Sequence, residues 1–197
     1  MINDMNEGLN NFWATPILKD TITDKSILDD VVTYILSNYN SEDLKVSLSV
    51  KDQNLFDNKQ FDTFKEKIVI PSFQKYIELQ NFNINLSKKE FHLKAWITGN
   101  KSSYFVPKHN HSGAHLCAVF YLLCEEQDQG GALAIHDPRH NANRGYTSEF
   151  NEWFKPIRFF PKSGDIVIFP SFTYHSVETF FGKMRLAVPV DLFLKDD

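Results

Sequence analysis

The chain has 197 residues, 42% of them hydrophobic and 23% charged, which suits one domain with a full core and excludes a mainly disordered chain. Lys and Arg number 21 against 25 Asp and Glu, a formal charge of −4 that argues against a general phosphate-backbone (nucleic-acid) partner. The two cysteines, Cys117 and Cys124, share one apolar run, so they form neither a disulfide framework nor a zinc quartet. That run, Leu116 to Cys124, is also the longest apolar stretch, too short for a membrane span. Met1-Ile2-Asn3-Asp4 lacks a basic-then-apolar leader, so the expected setting is cytoplasmic, with no membrane partner.

In chain order, Thr23-Asp24 precedes Ile27, Leu28, Val31, Val32, Ile35, Leu36 and Tyr39, which predicts a capped amphipathic helix. Phe61, Phe64, Ile68, Phe73, Tyr76, Ile77 and Leu79 predict a second helix that Pro71 should kink or split. Neither carries a chemical motif, and both are expected to cover a sheet. From residue 91 the pattern changes to short strands: His92–Thr98, Tyr104–Val106, Leu116–Cys124, Ala132–His136, Ile157–Phe160, Asp165–Phe169, His175–Phe180 and Arg185–Leu194. Turn signals such as Gly130-Gly131, Asp137-Pro138 and Pro170-Ser171 separate them. The expectation is a mainly β chain with N-terminal helices, built as a sandwich or jelly roll. It is expected to be a single domain over 1–197, with 1–90 as a helical cover and 91–195 as the core.

Five of the seven histidines lie between positions 109 and 140. In a strand, residues i and i+2 share a face, so His109 and His111 can grip one ion. Solvated imidazoles beside Pro107 and Asn110 explain that pair equally well. His115, four strand steps from His111, would be about 13 Å away, too far for imidazole bonds of about 2.1 Å. His175 opens a strand after a turn, an apolar strand and a second turn. From there it can reach the mouth of a sandwich and complete one face of an octahedron. Arg185, ten residues later, starts an apolar strand, where a charge is costly unless paired. A small dicarboxylate would suit it, because guanidinium binds carboxylate bidentately.

Four segments then resemble a known family: Phe12-Trp13-Ala14-Thr15-Pro16-Ile17; His109 to Gly113 with Val119-Phe120-Tyr121-Leu122; Gly131 to Arg139; and Gly164 to Pro170 with His175 and Arg185. In order and spacing the chain resembles the iron(II)/2-oxoglutarate-dependent dioxygenase superfamily, in particular its small branch found in phages and marine bacteria. The resemblance implies a double-stranded β-helix (a cupin-like jelly roll) with Fe(II) at its open end. It implies His175 as the distal metal ligand beside His109 and His111. Arg185 would pair with the far carboxylate of 2-oxoglutarate, and Tyr121 would add a hydroxyl hydrogen bond. The implied reaction hydroxylates a substrate with dioxygen while 2-oxoglutarate is decarboxylated to succinate. The sequence departs from the superfamily pattern twice: position 111 is His rather than Asp or Glu, and position 187 is Ala where many relatives have Ser or Thr. Three imidazoles would leave a bound divalent ion at a formal +2 rather than +1, and imidazoles also suit Zn, Ni and Cu.

Two other readings stay open. One is a cupin-like metal enzyme that does not use 2-oxoglutarate; the other is a non-catalytic jelly-roll interaction or structural protein. The segment 137–156 holds His140, Arg144, Tyr146, Trp153 and Lys155, a mixture able to bind a nucleotide, peptide or acidic metabolite, or simply to form a solvated lid. The resemblance also allows a homodimer.

Overall fold

The computed structural model describes residues 14–39, 54–100, 103–124, 130–139 and 155–195. The expectations for Phe12, Trp13, His140, Arg144, Tyr146 and Trp153 fall outside the described residues.

After a short strand β1 (Leu18–Thr21), helix α1 runs over Lys25–Asn38. Its start is fixed by the Asp24 carboxylate, which accepts the N–H groups of Ser26 and Ile27, two donors with no partner inside the helix. Ile27, Leu28, Val31 and Ile35 form the buried stripe, whereas Leu36, counted on the same stripe from spacing, is exposed. The second helical run is continuous from Asp62 to Leu79 but changes register: α2 (Asp62–Phe64), a π-helical stretch (Lys65–Val69) and α3 (Ile70–Leu79). Pro71 has no N–H to offer the carbonyl four residues back, so an uninterrupted α-helix would lose a bond there. The wider π turn lies immediately upstream, the kind of local adjustment in which a helix absorbs such a defect.

The remaining strands are β2 (Phe91–Ala95), β3 (Thr98–Asn100), β4 (Tyr104–His109), β5 (Leu116–Cys124), β6 (Leu133–Ile135), β7 (Ile157–Phe159), β8 (Asp165–Pro170), β9 (His175–Phe180) and β10 (Arg185–Leu194). They form two antiparallel sheets. The major sheet has the order β1-β8-β5-β10-β2, with β3 also paired to β10; the minor sheet is β4-β9-β6-β7. This is the mainly β jelly roll expected. The predicted His92–Thr98 strand divides into β2 and β3, and Tyr104–Val106 extends to His109. At the β2 edge the Asn54 amide stands in for a strand: its Nδ2 donates to Leu93 O at 2.6 Å and its Oδ1 accepts Ala95 N–H at 2.9 Å.

Strand alternation gives the major sheet two apolar faces. Leu116, Ala118, Phe120 and Leu122 of β5, with Leu186, Val188, Val190 and Leu192 of β10, pack against the helices. Phe64 of α2 meets Phe120 edge-on at 5.5 Å, joining the two layers. Burying one such Phe contributes roughly 1.5–3 kcal/mol. The opposite face presents Cys117, Tyr121, Val167, Phe169 and Ala187 to Leu133, Ile135 and Val177 of the minor sheet. A bulge in β5 opposite Leu186/Ala187 inserts Leu122 and sets Cys124 opposite Arg185. β10 itself keeps strict alternation, so Arg185, Ala187 and Asp191 all turn into the space between the sheets. Among the described residues no helix is long and apolar enough to cross a membrane.

Candidate metal centre

His109 ends β4 and stands directly opposite His175, the first residue of β9. His111 lies beyond the strand, where its N–H donates to Ser171 O at 3.2 Å. Ser171 N–H in turn donates to His115 O at 3.1 Å, so the loop after β4 is laced to the turn between β8 and β9. His109 and His111 therefore meet through a strand end and a tethered loop, not as neighbours on one strand face as their spacing predicted. The ligating atoms of His109, His111 and His175 all lie within 4.8 Å of one another. Their ring centroids are 4.3 Å (109–175), 5.1 Å (111–175) and 5.2 Å (109–111) apart.

Each ring is oriented through Nδ1. His109 donates to Pro107 O at 2.8 Å, His175 to Thr173 O at 3.1 Å, and His111 to Asp191 Oδ1 at 2.6 Å. In that tautomer every Nε2 keeps its lone pair, as a metal-ligating imidazole requires. His175 is 5% exposed, and burial pushes its pKa down to about 4, with the Thr173 hydrogen bond opposing and His109 and His111 adding to the fall. A ring that stays neutral across ordinary pH is a ready ligand. These three donors fit a divalent transition metal.

Asp191 was not singled out by the sequence reading. It is buried in β10, opposite Cys117 in register, and the Cys117 thiol hydrogen-bonds it. His111, Cys117 and Asp191 also lie within ligand reach of one another. Burial first, then the Asp191 charge, holds the Cys117 thiol far above its ordinary pKa, so it is a protonated donor rather than a thiolate ligand. That trio is a hydrogen-bonded support for His111. The signal available in the sequence was a carboxylate six residues after Arg185, hence on the same strand face, in an otherwise apolar run.

Arg185 lies at the other end of β10 and is 3% exposed. Its Nη1 donates to Gly131 O, and its guanidinium carbon sits 5.2 Å from the Phe180 ring and 6.0 Å from the Tyr121 ring. Tyr121 is buried beside it; burial raises its pKa and the Arg185 charge partly offsets the rise. Gly131 has φ +69°, and a Cβ there would lie 2.7 Å from Arg185 Nη1, so only glycine allows this approach. A positive planar fork in a dry, aromatic-lined space is suited to a carboxylate.

The other described histidines do not join the centre. His115 Nδ1 accepts Leu194 N–H at 3.1 Å, His136 Nε2 bonds Ser176 Oγ at 3.0 Å, and His92 packs against Phe193. Asp137 and Arg139 form a bidentate turn pair, with contacts of 2.9 and 2.5 Å. Trp96, between β2 and β3, packs 5.6 Å from the His111 ring.

Residues 94–191 match a family model described as "Putative 2OG-Fe(II) oxygenase". No curated protein matches the sequence. Among solved structures, a Pseudomonas putida prolyl-4-hydroxylase aligns with a TM-score of 0.62 at 13% identity, over 91% of this chain and 88% of its own. A Trichoplax adhaerens prolyl hydroxylase, solved with a hypoxia inducible factor peptide fragment, gives 0.60 at 15% identity over 91% and 83%. HygX from Streptomyces hygroscopicus, solved with nickel and 2-oxoglutarate bound, gives 0.59 at 12% identity over 91% and 82%. At these identities the structures establish a shared fold; the family match spans the positions of His109, His111, Tyr121, His175, Arg185 and Asp191. Residues 94–191, just under half of the chain, are thus similar to the 2OG-Fe(II) oxygenases, a family named for Fe(II) and 2-oxoglutarate.

Proposed function

We propose that this protein is a dioxygenase that hydroxylates its substrate, with Fe(II) held by His109, His111 and His175 and 2-oxoglutarate anchored by Arg185 and Tyr121. The observation that carries the reading is the convergence of three imidazoles, each with Nδ1 engaged and Nε2 available, on the sheet pair that also buries a guanidinium. When bound, Fe(II) supplies dioxygen activation coupled to conversion of 2-oxoglutarate to succinate and carbon dioxide, one oxygen atom going to each of succinate and substrate.

The protein's own groups do the rest. Pro107 O, Thr173 O and Asp191 hold the three rings in one tautomer and orientation. Arg185 fixes the far carboxylate of the cosubstrate, and the Tyr121 hydroxyl donates to it. Leu133, Val167, Phe169 and Val177 line the space between sheets with apolar surface, which keeps water from the reacting end. The protein is best suited to a reducing compartment, since Cys117 and Cys124 are both free thiols.

The test is oxygen uptake with Fe(II) and 2-oxoglutarate, with succinate measured in parallel and metal content measured by equilibrium dialysis. The wild type should bind one metal ion and form succinate, and His175→Ala should do neither. Undiminished succinate formation by His175→Ala would refute the assignment.

A further inference from the structure

We infer that Asp191 is the anion of this metal centre, acting from behind His111 rather than as a ligand itself. The inference rests on the metal assignment above and adds a positioning residue to it.

Three neutral imidazoles around a divalent ion leave the formal charge at +2. A set of two imidazoles and one carboxylate leaves +1. Asp191 restores the second figure through His111: its Oδ1 accepts the Nδ1–H at 2.6 Å, a short charge-assisted hydrogen bond. The carboxylate is 9% exposed at the side chain, and His111 14%. Asp191 groups with His111 and Cys117, while His109 and His175 group with His111, so His111 is the one residue common to both sets. The carboxylate thus engages Nδ1 of that ring and leaves Nε2 for an ion shared with the other two imidazoles.

Compensation makes the same point. A buried carboxylate is costly unless it is paired and hydrogen-bonded. Among the described residues the partners of Asp191 are an imidazole and a thiol, and no Lys or Arg forms an ion pair with it. A divalent cation on the other nitrogen of His111 supplies the missing positive charge, with the ring carrying the polarisation between them. The carboxylate–histidine–metal arrangement also makes the ring a stronger donor and fixes its tautomer. Register reinforces the geometry: Asp191 lies in the middle of the major sheet, between β5 and β2, where its backbone cannot drift.

The experiment compares wild type, Asp191→Asn, Asp191→Ala and His175→Ala by anaerobic equilibrium dialysis against Fe(II) and Co(II). The Co(II) absorption spectrum and thermal unfolding of the metal-free forms are recorded alongside. Asn keeps an oxygen acceptor and removes the charge, so it should weaken metal binding about 10-fold, and Ala up to about 100-fold. The Co(II) spectrum of Asp191→Asn should keep the wild-type coordination number, since no ligand has been removed. Asp191→Asn binding within twofold of wild type overturns the inference, and so does a changed coordination number. Metal bound by wild type, lost in His175→Ala and unaffected at Asp191 would refute this role alone. No metal bound by wild type would refute the metal assignment with it. Histidine ¹⁵N NMR of the zinc-loaded wild type provides a reading free of any folding defect in the variants. His111 should be protonated at Nδ1 and metal-bound at Nε2, and the reverse tautomer overturns the inference.

Discussion

Arg185→Ala isolates the proposed cosubstrate end of the site. The guanidinium is 3% exposed and lies against Phe180 and Tyr121, so a carboxylate bound there is shielded from water and salt. Truncating one partner of such a desolvated, hydrogen-bonded charge pair costs about 2–5 kcal/mol. At about 1.4 kcal/mol per factor of ten, the 2-oxoglutarate dissociation constant should rise roughly 30-fold to several thousand-fold. Arg185→Lys keeps the charge but loses the planar fork, and should fall between Ala and wild type. Metal affinity should stay within about twofold, because Asp191 is six residues and about 20 Å further along β10. The assay is an anaerobic titration of 2-oxoglutarate into Fe(II)-loaded protein, followed by the visible charge-transfer absorption of the chelate, with metal affinity measured separately. Loss of the Arg185 donor to Gly131 O leaves a buried carbonyl short of a partner, worth about 1–3 kcal/mol, so thermal unfolding is recorded for each variant. A 2-oxoglutarate affinity within threefold of wild type in a folded Arg185→Ala protein would refute the reasoning.

Gly131→Ala should act on the same pocket without replacing a functional side chain. It imposes backbone strain of about 1 kcal/mol at φ +69° and a Cβ 2.7 Å from Arg185 Nη1. Weakened 2-oxoglutarate binding with unchanged metal affinity is expected, and equal loss of both would count against it. The metal-free protein should also lose stability in acid through His175. Its folded pKa is about 4 against an ordinary 6.5, so below pH 6.5 the unfolded chain takes up a proton that the folded chain refuses. Stability therefore falls as pH drops from about 6.5 to 4, by up to about 3 kcal/mol from this residue. Urea unfolding in EDTA at several pH values should show a shallower acid slope for His175→Gln, and identical slopes would remove the explanation.

The roll was legible, and so were the residues proposed as metal ligands, because their signals are local. β5, β9 and β10 alternate or run apolar between strong turn signals, and Asp24 is a helix cap by composition and place. His175 and Arg185 open their strands, as the turn residues before them require. β1 escaped notice because Leu-Lys-Asp-Thr is too short and polar to show alternation; it exists because β8 offers it an edge. The His109–His111 pairing was anticipated for a different reason from the observed one, since a loop tether to Ser171 cannot be read from spacing. Asp191 was hidden for the same reason: its partner His111 is 80 residues away, and only the sheet register brings them together. The Pro71 defect was visible, but its resolution as a π turn depends on how Ile68 and Val69 pack in the core.

β10 carries the proposed anchor for the cosubstrate at its first residue and the proposed brace for the metal near its last, within one unbroken pleat. A one-residue frameshift in its pairing would rotate both side chains into the helical layer and both sets of aliphatic neighbours into the reaction chamber. Misassembly would therefore strip the grip on the acid and the brace behind His111 in one step, while the three imidazoles, which stand on other segments, would stay where they are.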